Sequence, residues 1–216
     1  MRKLLSGWLF FAVLFSVACG KYGGFGNDPI ATMQLGLDGV KLIERGETRG
    51  DLPSHFEQES YRLDDGRRLL LRFEAFSEEV SRVNVEGTNK VWIEITVLTE
   101  DQVEPALAAL KLCPLTRAWM MLATWELGHP FGAAGRWNEP GGDFDRAGCV
   151  SAQLKEAGTR GLRFDVTKWF NDYPRGRGEN FGLILVSESS INMHGDRSGT
   201  YAPRFSFDSY TPSFVR

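Results

Sequence analysis

The chain has 216 residues, 42% hydrophobic and 12% aromatic, with a formal net charge of −3. That length gives one domain of ordinary size with a true core. The near-balanced charge, with no long run of one sign, gives no footing for nucleic acid.

The first twenty residues are a separate object. Arg2 and Lys3 precede an apolar run over positions 4–17. The run is too short for a spanning helix and has the layout of a secretory signal. Ser16-Val17-Ala18-Cys19-Gly20 is similar to the lipobox of bacterial lipoproteins. That similarity implies that Cys19 receives the lipid and becomes the mature N-terminus. Ser16 departs from the pattern, where an aliphatic residue is usual. The alternative is an ordinary signal peptide cut near Ala18. Gly20 stands where inner-membrane retention signals have Asp, so in a Gram-negative cell the similarity implies the outer membrane or cell surface. The expected organisation is a signal peptide at 1–18, a glycine-rich flexible tether at 19–33 and one folded domain at 34–216.

Period-two alternation dominates the folded domain. Leu69, Leu71, Phe73 and Ala75 share one face, with Arg68, Arg72 and Glu74 on the other. This is the pattern of a half-buried strand. Val91, Ile93, Ile95 and Val97 alternate with Trp92, Glu94 and Thr96, and Leu162, Phe164 and Val166 with Arg163, Asp165 and Thr167. Positions 181–186 form a continuous apolar run, as in a central strand covered on both faces. Phe205 and Phe207 alternate with Arg204 and Ser206 in the last strand. Helix signals are few. Asp165 or Thr167 starts a short helix in which Val166, Trp169 and Phe170 share a face. The stretch 99–109 holds another turn, limited by Pro105. Many short strands with one or two short helices argue for an all-β sandwich.

Between these strands lies a stretch with Trp119, Trp125 and Trp137, closed by Pro140-Gly141-Gly142. It reads as a strand–loop–strand unit. Aromatics this dense anchor a core or pave a binding surface. Cys113 and Cys149 flank the stretch. In an exported protein they suggest a disulfide that staples its ends; two separate buried thiols are the other reading.

Together these stretches resemble the DNRLRE domain, related to carbohydrate-binding module family 96. The resemblance rests on residues 38–43 (D-G-V-K-L-I), 67–74 (R-R-L-L-L-R-F-E), 115–125 (L-T-R-A-W…A-T-W), Trp137 with 140–145 (P-G-G-D-F-D), and 164–169 (F-D-V-T-K-W). Met120, Met121, Leu122 and Glu126 depart from the pattern, and 100–109 looks inserted. The resemblance implies a jelly-roll sandwich without catalytic activity, presented at the cell envelope. Its expected partners are a polysaccharide, an acidic one included, and the lipid bilayer. Expected ligand contacts are Trp137, Asn138, Arg136, Asp143 and Asp145, with Trp125 and Arg117. Trp119 and Trp169 read as core, and core is the other reading of Trp125; Arg160, Arg175 and Arg177 sit in glycine-rich loops, as a solvated surface or as cations for an acidic polymer. No cofactor is expected. A structural calcium of the jelly-roll kind would fall to Asp38 and Asp208, with Asp143 and Asp145 as the other pair. An envelope lipoprotein that contacts proteins and no glycan fits the sequence as well. Glu126, His129, Asp143 and Asp145 put carboxylates near an imidazole, and paired carboxylates can do acid–base work on a glycosidic bond, but no H-E-x-x-H, G-x-S-x-G or P-loop pattern accompanies them.

Overall fold

The computed structural model describes residues 39–47, 60–72, 90–131, 133–172, 179–195, 201 and 203–207. The expected signal peptide, Cys19, the tether, Phe73, Ala75, Arg175, Arg177, Asp38 and Asp208 lie outside them.

The chain is an all-β sandwich. Its strands are β1 (Gly39–Glu44), β2 (Ser60–Leu63), β3 (Arg67–Arg72), β4 (Val91–Thr96), β5 (Leu110–Pro114), β6 (Val150–Ser151), β7 (Gln153–Leu154), β8 (Gly161–Asp165), β9 (Leu183–Ser187), β10 (Ile191–His194) and β11 (Arg204–Phe207). Sheet I has the order β1-β3-β9-β5-β6 and sheet II the order β11-β4-β8-β7. All pairings are antiparallel. Strands β3, β9 and β5 lie in one sheet and β4, β8 and β7 in the other, so the chain crosses repeatedly between layers in the jelly-roll manner. The pair β10-β2 meets the chain just past the end of β4 through a Val97–Met193 bridge.

Register explains the core. Leu42, Leu69, Leu185, Leu112 and Val150 form one cross-strand row on the inner face of sheet I. Phe205, Ile93 and Phe164 form a row on sheet II. The two inner faces meet in one cluster that includes Leu71, Leu185 and Ile93.

Sheet I is covered on its other face too. Lys41, Leu70, Ile184 and Cys113 form its outer row. Over it lie Leu115, Trp119, Ala123, Trp125 and Trp137. Here the expected strand–loop–strand unit is corrected. Residues 115–149 are a chain of turns that forms a third layer. Among the described residues of this segment, the β pairing is in isolated bridges, Leu115–Phe144 and Leu127–Arg136. No run of period two passes through the three tryptophans, so no strand forms. Burial of large indoles against the apolar sheet holds the segment instead. Cys113 and Cys149 are bonded (S–S 2.01 Å) and tie the cover to β5. Lys41 is wholly buried beneath it and meets Glu47 at 3.2 Å.

Among the described residues two short α-helices pack on the core, one through Ala106 and the other through Trp169 and Phe170. In α1 (Val103–Ala109) Pro105 falls in the first turn, where a missing N–H costs no helical bond, so the helix is longer than one turn. In α2 (Thr167–Asp172) Asp165 Oδ1 accepts from Thr167 N and Oγ1 (3.2 and 2.6 Å), and Trp169 and Phe170 turn into the core.

Candidate functional site

The aromatic residues expected to meet a sugar do not present open faces. Trp125 and Trp137 are 4% and 3% exposed, as is Trp119 at 3%. Trp137 Nε1 donates to the Thr124 carbonyl (3.0 Å), and Trp119 Nε1 to that of Phe181 (2.9 Å). The guanidinium groups of Arg68 and Arg45 stand 4.8 and 5.2 Å from the Trp125 ring centre. A stacked sugar needs a bare aromatic plane, and these planes are spent on packing. The reason is the outer face of sheet I, whose Leu70 and Ile184 need a cover.

The expected polar contacts do converge, but on the backbone. Arg117 Nη1 donates to the Arg136 carbonyl (2.6 Å) and lies 3.3 and 3.4 Å from Asn138 Oδ1 and Asp143 Oδ2. Asp143, 7% exposed, accepts from the amides of Asn138 and Glu139, both at 3.0 Å. It organises the turn that carries Pro140-Gly141-Gly142. Asp145 Oδ1 accepts from the Ala147 amide (2.9 Å) in a local turn. The oxygens of Asp143 and Asp145 are thus engaged separately. Among the described residues no group of three or more His, Cys, Asp or Glu side chains is placed to hold a metal. Glu126 is exposed, while His129 is half-buried against Gly135.

A different set of side chains forms a groove of ≈370 Å³ at the rim of sheet I. Arg45 follows β1, Arg68 lies on β3 and Lys111 on β5, and Arg146 leaves the cover. Phe144 and Val186 supply apolar wall, and Asp65 and Glu188 acidic rim. Arg68 is central. β3 alternation points it outward, over Trp125 and 5.5 Å from the Phe144 ring centre, and it donates to the Gly141 carbonyl (2.8 Å). Burial first, then the Arg146 and Arg45 cations, push its pKa below the ordinary arginine value, against weaker opposite pulls from Glu139 and Asp65. It stays charged at any physiological pH. Among the described residues no carboxylate makes an ion pair with it.

The neighbouring cations have weak partners. Arg45–Asp65 (3.5 Å) and Arg146–Glu139 (2.6 Å) join side chains that are all more than half exposed, and Lys111–Glu188 spans 4.0 Å. Exposed pairs of this kind contribute about 0–1 kcal/mol each, so an incoming anion displaces them at little cost. The groove therefore sets three guanidinium groups and an ammonium beside an aromatic wall, a combination that takes carboxylate or sulfate groups on a ring.

Sequence reasoning put Arg68 on the outer face of its strand but did not join it to Arg45, Lys111 and Arg146. These positions belong to four separate segments, and only the fold brings them together. Comparison with protein-family models returns no match, and neither does comparison with curated protein sequences. The resemblance to the DNRLRE domain rests on the sequence motifs alone.

Proposed function

We propose that this protein is an exported, lipid-anchored, non-catalytic module of the DNRLRE type that binds an acidic polysaccharide at the cell envelope. The observation that carries this reading is the cationic groove. Like charges are gathered around Arg68 at a cost to stability, which is the arrangement expected where an anion is the missing partner. The N-terminal signal and Cys19 support export and anchoring. The second reading, an envelope lipoprotein that contacts proteins, is favoured by Met120 and Phe131, which are 45% and 66% exposed on the cover.

The test is titration of the protein with a polyuronate and a sulfated polysaccharide at low salt. Arg45→Glu/Arg146→Glu is the informative variant, because both side chains are exposed and hold no part of the core. We expect saturable binding that weakens as salt rises. We also expect the double variant to lose at least about ten-fold in affinity, or 1.4 kcal/mol. Equal affinity in the variant would remove the groove from the account. Failure of every acidic polymer to bind would shift the weight to the protein-contact reading.

A further inference from the structure

Sheet II faces away from the groove and carries a cluster of its own. Register places Arg204, Glu94, Arg163 and Gln153 in one row on its outer face. Glu94 is 8% exposed there. Its Oε1 accepts from Ser206 Oγ (2.7 Å), while Oε2 accepts from both Lys155 Nζ (2.7 Å) and Arg204 Nε (2.8 Å). Burial works to raise the Glu94 pKa, but the bonds from Lys155, Ser206 and Arg204 outweigh it, and the net shift is downward.

The turn between β7 and β8 adds a third cation. Thr159 N and Oγ1 donate to the Glu156 carbonyl (3.2 and 2.8 Å), and Gly158 takes φ +74°. A side chain at that φ would be strained, so glycine permits the tight reversal. The reversal brings both ends of the turn together, with Lys155 N donating to the Gly161 carbonyl (3.0 Å). Arg160 is thereby set on the same rim as Lys155. Its Nη1 donates to the Leu98 carbonyl, and its guanidinium lies 5.7 Å from the Tyr201 ring centre. These side chains line a cleft of ≈370 Å³ with Thr96, Thr159 and Tyr201. Glu100 and Glu156, both exposed, stand at its edge.

We propose that this cleft is a second ligand site, independent of the groove, that takes one oxyanion group between Lys155, Arg160 and Arg204. The cluster holds two cations on a single carboxylate oxygen, and a third cation stands beside them. Glu94 cancels one of the three charges; Glu100 and Glu156 balance the other two in formal charge, but both are exposed at the edge and form no ion pair with these cations among the described residues, so solvent screens them. Among the described residues the Nη groups of Arg204 make no hydrogen bond, and Lys155 Nζ uses only one of its three donors. The cations are also pre-positioned. Lys155 and Arg204 keep about a third of their side-chain surface exposed, so binding forfeits little rotamer freedom. The ligand is a carboxylate, sulfate or phosphate carried by a small molecule or a polymer end. The inference does not rest on the polysaccharide reading, since the two sites share no residue.

The experiment is calorimetric titration of the full chain with inorganic phosphate, sodium sulfate and glucuronate in parallel at low ionic strength. Lys155→Gln/Arg160→Gln tests the cleft and Arg45→Ala/Arg146→Ala the groove. Both double variants leave the Glu94–Arg204–Ser206 bonds in place, and unchanged near-UV circular dichroism verifies the fold. The expected result is saturable binding of at least one probe, weakened ten-fold or more by the cleft substitutions and unchanged by the groove substitutions. The preferred probe identifies the oxyanion. A Glu94 cluster that only struts the sheet gives no saturable binding of any probe, and that result overturns the proposal. So does binding that survives in the cleft variant, or that weakens equally in both variants.

Discussion

At the scale of single residues, two positions decide how much the fold depends on its polar chemistry. Glu94 joins β4 to β11 and to the β7–β8 turn through one carboxylate. Its folded pKa is depressed, so the unfolded chain takes up the proton first. The stability it contributes is fully present above the unfolded value, near 4.5, and is lost as pH falls through the lower folded value. Asp165 follows the same sign: burial raises its pKa, and the bonds from Thr167 and Lys90 more than offset that. Urea unfolding should therefore show stability falling as the medium is acidified below about pH 4.5. Glu94→Gln should cost about 1–3 kcal/mol at pH 7 and flatten that acid limb. An unchanged pH slope in the variant would contradict this assignment. Gly141 is the second position. It takes φ +92°, and a Cβ there would lie 2.7 Å from both Trp125 and Arg68. Gly141→Ala should destabilise by about 1–3 kcal/mol from backbone strain alone, as read by thermal unfolding. The turn was legible from Pro140-Gly141-Gly142. The close approach of Trp125 was not, because it comes from a contact across the cover.

At the scale of elements, β3, β4, β8, β9 and β11 were legible, while β1, β2, β5, β6, β7, β10 and the cover were not. Alternation in 91–97 and 162–166 gave β4 and β8 with the right faces inward. The continuous apolar run near 181–186 marked a strand covered on both sides, and β9 is one: Leu183 and Leu185 face the sandwich, while Ile184 and Val186 face the tryptophans. The same signal stands in Leu69-Leu70-Leu71. A sheet apolar on both faces requires a second cover, and the remaining aromatic-rich segment is 115–149. What hid this is the segment itself, whose turns carry no period. The Cys113–Cys149 bond closes it at a sequence separation of 36. Loop entropy gives such a bond about 3–4 kcal/mol. Cys113→Ala/Cys149→Ala should lower the unfolding free energy by that order, measured in urea. Trp137→Ala should cost about 3–5 kcal/mol, and a loss well under 1 kcal/mol would return Trp137 to the surface.

At the scale of the whole molecule, sheet I sits between sheet II and the tryptophan cover, and the two cationic sites lie on opposite outer surfaces. Three of the residues expected to bind ligand, Trp125, Trp137 and Asp143, are buried parts of the cover. The groove proposed in their place could not be read from the sequence, since Arg45, Arg68, Lys111 and Arg146 become neighbours only when β1, β3, β5 and the cover assemble. The proposed polysaccharide contact is therefore one of charge more than of stacking, and its affinity should fall steeply with salt between about 20 and 300 mM. A salt-insensitive affinity would point to aromatic stacking.

The three-layer architecture depends on the tryptophans of 115–149 being core. Hydrogen exchange at the indole N–H groups of Trp119 and Trp137 tests this most directly, because each donates to a backbone carbonyl beneath the cover. The structure predicts both to exchange at least about a hundred-fold more slowly than a free indole, as buried bonded donors do. Exchange at the free-indole rate in the folded protein would contradict it.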